Sequence, residues 1–107
     1  MNLNVKNITG INQACKKCHV DELYVFGSVL TKQFTKESDI DFLVTFGKVD
    51  PMNYFDNYLE LKDSLEYLLD RQVDLVESQT IKNPILRRSI EQNKRLIYGG
   101  ENSKVFV

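Results

Sequence analysis

GSVLTKQFTKESDID, residues 27–41, lies between two apolar runs, Leu23-Tyr24-Val25-Phe26 ahead of it and Phe42-Leu43-Val44-Thr45-Phe46 behind it. Each run reads as a short buried strand, so a Gly-Ser turn leaves one strand and a pair of aspartates enters the next. Side chains of an extended chain repeat their direction every second residue. Asp39 and Asp41 therefore share one side of their strand, and Ile40, Phe42 and Val44 take the other. Two carboxylates held together repel, and a folded chain resolves the conflict with a cation or a retained proton. A divalent ion with oxygen ligands is the direct resolution, since magnesium takes one or two carboxylates together with substrate phosphates. The other end of the stretch supplies what phosphates need. Gly27 lets the backbone approach a ligand closely, and successive amides of a tight turn entering a helix form an anion-binding concavity.

At 107 residues the chain supports one core and not two. Its 42% hydrophobic and 27% charged residues are those of an ordinary globular domain, which excludes a disordered or fibrous class. No run approaches the roughly 20 apolar residues of a membrane span, and the opening MNLNVKNITG has no apolar signal region. Cytoplasmic residence without a membrane partner is the expectation. A net charge of −1 with scattered basic residues leaves no electrostatic footprint for a long nucleic acid.

In chain order, Ile8, Ile11, Cys15 and Cys18 mark one stripe of a first helix, with Thr9 as its cap and its end near His19. Cys15-Lys16-Lys17-Cys18-His19 matches the C-x-x-C-H pattern of haem attachment. Both cysteines fall on the apolar stripe, however, and read as small buried hydrophobes. One cysteine pair and one histidine do not complete a four-ligand zinc site either. Val29 to Thr35 predicts a short helix or a helical turn after Gly27-Ser28, and Ile40 to Phe46 the second strand. Asp50-Pro51 opens a helix with Asp50 as N-cap and a stripe of Phe55, Tyr58, Leu61, Leu65 and Leu68. Val73-Asp74-Leu75-Val76 is a third strand carrying a single acid, which must face water, a partner or a metal. Asn83-Pro84 opens the last helix, whose core-facing residues are Leu86, Ile90 and Ile97, with a basic face from Arg87, Arg88, Lys94 and Arg95. Leu96 to Tyr98 could add a fourth strand. Residues 1–100 form one domain, and the tail, 101–107, is expected to be mobile.

Gly27-Ser28, ten residues, then Asp39-Ile40-Asp41 resembles the signature of the nucleotidyltransferase superfamily related to DNA polymerase beta, in its minimal bacterial form. The resemblance runs from the first helix to Tyr98. It implies an α+β nucleotidyltransferase fold, a small mixed sheet of three to four strands backed by helices on one face. The activity it implies is transfer of a nucleoside monophosphate, AMP from ATP, to an acceptor hydroxyl. Asp39 and Asp41 would bind one or two Mg2+ ions, and Asp74 stands where the family's third carboxylate is expected. Gly27 and Ser28 would hold the triphosphate. The family's basic residues after Gly-Ser are replaced here by Val29 and Thr31, leaving Lys32 as the shifted cation. Minimal chains of this type resemble the antitoxin of toxin-antitoxin pairs whose partner is a small helical HEPN ribonuclease, and a tyrosine of that toxin is the implied acceptor. Two alternatives carry other classes of function: a module of the same fold that neutralises its partner by contact alone, and a homo-oligomer that modifies a small molecule across its interface.

Overall fold

The computed structural model describes residues 5–27 and 38–99. Ser28, Lys32, the helix or helical turn expected over Val29 to Thr35 and the tail 101–107 lie outside the described residues. In order, the chain forms α1 (Val5–Lys17), β1 (Val20–Phe26), β2 (Ile40–Phe46), α2 (Tyr54–Leu69), β3 (Val73–Glu77), α3 (Pro84–Asn93) and β4 (Arg95–Tyr98). The strands make one mixed sheet in the order β3-β2-β1-β4. β1 is antiparallel to both β2 and β4. β2 and β3 are parallel, because α2 returns the chain to the same end of the sheet between them.

Alternation along the strands divides the core in two. Leu23, Val25, Ile40, Phe42, Val44, Val73 and Leu75 face α1 and α2 in the main cluster, where they meet Ile11, Cys15, Leu61 and Leu65. Burying each such aliphatic side chain contributes about 1.5–3 kcal/mol. The intervening residues Tyr24, Phe26, Leu43 and Val76 line the opposite face, where Ile81 and one α3 residue, Ile90, cover them in a smaller cluster. The two longer helices thus back one face, and among the described residues α3 covers only part of the other. Asp41 and Asp74 belong to that second face.

The helix ends have local causes. Asp50 accepts a hydrogen bond from the Met52 amide (3.0 Å) and, with Pro51, opens a 3-10 turn over Pro51–Asn53 that runs into α2. Asp70 closes α2 in the left-handed conformation, its amide donating to the Glu66 carbonyl. Asn83 caps α3 by accepting from the amides of Ile85 and Leu86.

Several residues lie elsewhere than periodicity indicates. α1 already begins at Val5, so Thr9 is inside the helix and does not cap it. Gly10, also inside, serves packing: a Cβ there would come 2.6 Å from Leu68 Cδ2. Phe55 is 68% exposed, and the buried stripe of α2 is carried by Leu61 and Leu65. Leu86 is also exposed, and Lys94, Arg95 and Ile97 lie beyond α3, the last two in β4. His19 ends the first helix region with a positive φ of 59°.

Cys15 and Cys18 are free and buried. Burial, reinforced by the neighbouring Cys18, pushes the Cys15 thiol up to about 12; burial and Glu60 push Cys18 to about 11. The folded state therefore holds these protons more tightly than the unfolded chain, whose thiols titrate near about 8.5. That stabilisation is complete below the unfolded value and is lost as pH rises through the folded ones. Iodoacetamide at pH 8 should leave both thiols of the native protein unmodified and add two adducts after unfolding in guanidinium. Mass spectrometry showing a rapid adduct on the native protein would contradict this burial.

Candidate active site

Three strands bring the candidate residues together. Asp41, the second residue of β2, is the register partner of Phe26 on one side and of Asp74 on the other. Paired residues on neighbouring strands project to the same face, so the Asp41 and Asp74 carboxyls stand side by side. Asp39 precedes the strand by one residue. Its backbone is anchored on both flanks: the Ile40 amide donates to the Gln72 carbonyl (3.1 Å), and Arg71 Nη1 donates to the Ser38 carbonyl (2.8 Å).

Gly27 completes the arrangement. It follows the last residue of β1 with φ +81°, a conformation that L side chains rarely adopt, and a Cβ there would lie 2.3 Å from Asp41 Oδ2. Only glycine lets the start of the turn lie against that carboxylate. Of the six residues expected to build the site, the structure places Gly27, Asp39, Asp41 and Asp74 at one end of the sheet; Ser28 and Lys32 are outside the described residues.

The electrostatics match the geometry. Asp41 is half-buried, and its carboxyl is held above the ordinary carboxylate range by burial first, then by Asp74 and Asp39. A half-buried carboxyl facing two others is a place for positive charge. Among the described residues, no group of three histidine, cysteine or acidic side chains could hold a metal ion. Magnesium needs none, since it binds through one or two carboxylates and takes its other ligands from water and phosphate. Oxygen donors of this type, on neighbouring strands and beside a close-approach glycine, fit that ion.

Two features were not visible in the motif. Arg71 belongs to no motif, and its clasp on Ser38 depends on a contact 33 positions away. Beside Gly27, α3 and β4 form the wall of a groove of about 450 Å³. The spacing of Leu86, Ser89, Ile90 and Asn93, three, four and seven residues, was the available signal for that wall.

Comparison with known proteins identifies relatives of the chain. The family model described as "Polymerase beta, Nucleotidyltransferase" matches residues 9–103. A chain of Methanocaldococcus jannaschii that carries the provisional name of a protein adenylyltransferase is 43% identical over 84 residues, 77% of this chain and 79% of its own. The protein adenylyltransferase MntA of Thermococcus cleftensis is 34% identical over 73 residues, 68% of this chain and 71% of its own. A chain from the solved complex of tri-AMPylated Shewanella oneidensis HEPN toxin with MNT antitoxin superposes with a TM-score of 0.59 at 21% identity. That match covers 94% of this chain and 76% of the other, and shows the shared fold.

Proposed function

We propose, since the chain belongs to the Polymerase beta nucleotidyltransferase family, that it is a magnesium-dependent protein adenylyltransferase. It would act in the cytoplasm as a single catalytic domain and move AMP from ATP to a tyrosine hydroxyl of a helical HEPN-type toxin. One observation carries the reading: Asp41 lies against Gly27 and is the register partner of Asp74, the arrangement that a phosphate-approach turn beside a metal-binding carboxylate would need. The names of the relatives support protein as the acceptor, and the AMPylated toxin in the Shewanella oneidensis complex supports its identity.

Asp39 and Asp41 would hold Mg2+, with Asp74 completing the site of a second ion. When bound, the metal supplies neutralisation of the charge that develops on the attacking and leaving oxygens. Gly27, with Ser28 and Lys32, holds the triphosphate. The tyrosine oxygen forms a bond to the α-phosphorus, and the bond from that phosphorus to the oxygen bridging to the β-phosphate breaks. The electron pair leaves on pyrophosphate. Asp74, on the edge strand and exposed, accepts the hydroxyl proton. The remainder of the catalysis is positioning.

The test is the mass of purified partner after incubation with this protein, ATP and magnesium. One or more adenylyl groups should appear on tyrosine, and none when magnesium is chelated. An unmodified partner that is nevertheless neutralised, equally well by Asp39→Asn/Asp41→Asn, would establish the contact-only module instead.

A further inference from the structure

The outer side of α2 is apolar and acidic at once. Leu61 and Leu65 face the core. Around the helix from them, Met52, Phe55, Leu59 and Tyr67 follow at steps of three, four and eight residues, which make one stripe. They are four of the eight large apolar side chains exposed among the described residues, Met52 at 90% and Tyr67 at 87%. Asp56, Asp63 and Asp70 are exposed along the same side, and residues 50–70 hold six acids and one lysine in a chain whose net charge is −1. Asp63 and Tyr67 also border a second groove, of about 420 Å³, between α1 and α2. We propose that this stripe and groove form a docking surface for a partner protein that presents an amphipathic helix with an apolar ridge and basic flanks. α2 packs on the face of the sheet opposite to Asp41 and Asp74, so a partner held here does not cover the carboxylates. The inference stands apart from the adenylyltransferase reading.

Charge selects the occupant. Acids along the stripe repel phosphate backbones and anionic membrane surfaces, and two copies meeting stripe to stripe would set carboxylates against carboxylates. Basic residues of a partner meet the opposite situation. Glu60 is already engaged by Lys17 (3.2 Å), and Glu66 accepts from the Val73 amide (2.9 Å), so Asp56, Asp63 and Asp70 are the acids offered outward. The one cation of α2, Lys62, is half-buried. Shape then selects a helix. From Met52 to Tyr67 the stripe runs for about 22 Å, and the groove beside it is lined on the α1 side by Gly10, Gln13, Ala14 and Lys17, residues of one helix face. Such a channel between two helices takes a ridge of side chains that repeats every three and four residues, as another helix supplies. Phe55, an aromatic ring expected in the core and found exposed, is the anchor that gains most from being covered.

The probe is a synthetic peptide helix of about 18 residues, with leucines at steps of three and four and arginines beside them; a second peptide has glutamates in place of the arginines. Calorimetry on the full chain at low salt should find the arginine peptide bound about tenfold or more tightly than the glutamate peptide. Phe55→Ser and Asp63→Lys change exposed positions and should fold, which circular dichroism checks. Each should weaken binding of the arginine peptide about tenfold, and Asp39→Asn/Asp41→Asn should bind it as the native chain does. Equal binding of the two peptides, binding of neither, or an unchanged affinity in either α2 variant would overturn the proposal. Binding lost in Asp39→Asn/Asp41→Asn would put the peptide at the carboxylates and overturn it as well. Sedimentation of the native chain as a dimer that Phe55→Ser dissociates would give the stripe to a second copy. Tighter peptide binding after removal of residues 101–107 would give it to the chain's own tail, and either result overturns the assignment to a partner. None of these readouts involves AMP transfer, so the docking surface and the adenylyltransferase reading fail independently.

Discussion

Asp41→Asn is expected to slow the proposed adenylyl transfer by about 10³-fold while making the protein more stable. The two effects share one cause. Asp41 is half-buried with Asp74 as its register partner and Asp39 two residues before it, and its carboxyl is held above the ordinary range by burial and by those two charges. Like charges facing each other across strands cost up to about 1 kcal/mol. An amide of the same shape removes that repulsion and is easier to bury. For a domain of this size each kcal/mol corresponds to roughly 4–8 °C in Tm, so a rise of a few degrees in the absence of metal is the expected result. Activity moves in the opposite direction. Metal-assisted charge neutralisation is worth several kcal/mol in the transition state, and each 1.36 kcal/mol is tenfold in rate. The loss is therefore on the order of 10³-fold. MgATP should raise the Tm of the native protein by linkage and leave that of the variant unmoved. Thermal unfolding with and without MgATP, beside the transfer assay, decides the matter: a variant that is both less stable and active would remove Asp41 from the site.

The candidate residues stand out in the sequence because their signals are local. A Gly-Ser turn after one apolar run and alternating aspartates at the head of the next are both local features, and β2 spans Ile40–Phe46 as the pattern indicates. Asp74 was conspicuous for a similar reason, as a single acid in an apolar strand. What alternation within one strand does not contain is which strands become neighbours. Asp41 and Asp74 meet because β3 pairs in parallel with β2, and that pairing depends on α2 crossing between them. Arg71 and the groove have the same origin. The misplaced residues of the helices are those for which periodicity was the only guide. Phe55 lies in the first turn of α2, close to the 3-10 entry, and remains outside the core. Thr9 is a good capping residue type, but the helix already begins one turn earlier, at Val5. Gly10 looks like a weakness of helix propensity, worth about 1 kcal/mol, until α2 is brought against it and Leu68 occupies the space a Cβ would take.

Gly27→Ala should cost more than any other substitution that adds a single methyl group, and its cost should depend on Asp41. Two penalties combine. Holding a Cβ at φ +81° costs roughly 1–2 kcal/mol. The added carbon would also lie 2.3 Å from Asp41 Oδ2 and 3.2 Å from its Cγ. The carboxylate can relieve the contact only by swinging away from its place beside Asp74. A displacement of about 1 Å at a reacting centre is enough to lose roughly 100-fold in rate, so transfer should fall at least that far even where the variant remains folded. A double-mutant cycle separates the two penalties. In an Asp41→Ala background the clash has no partner, and Gly27→Ala should cost only the backbone part, leaving a coupling energy of about 1 kcal/mol or more between the positions. Asp41→Asn, which keeps the shape and removes the charge, should retain most of the coupling. If instead the cost of Gly27→Ala is the same in all three backgrounds, glycine is present for the turn alone, and the close approach of that turn to the carboxylate plays no part in holding the site together.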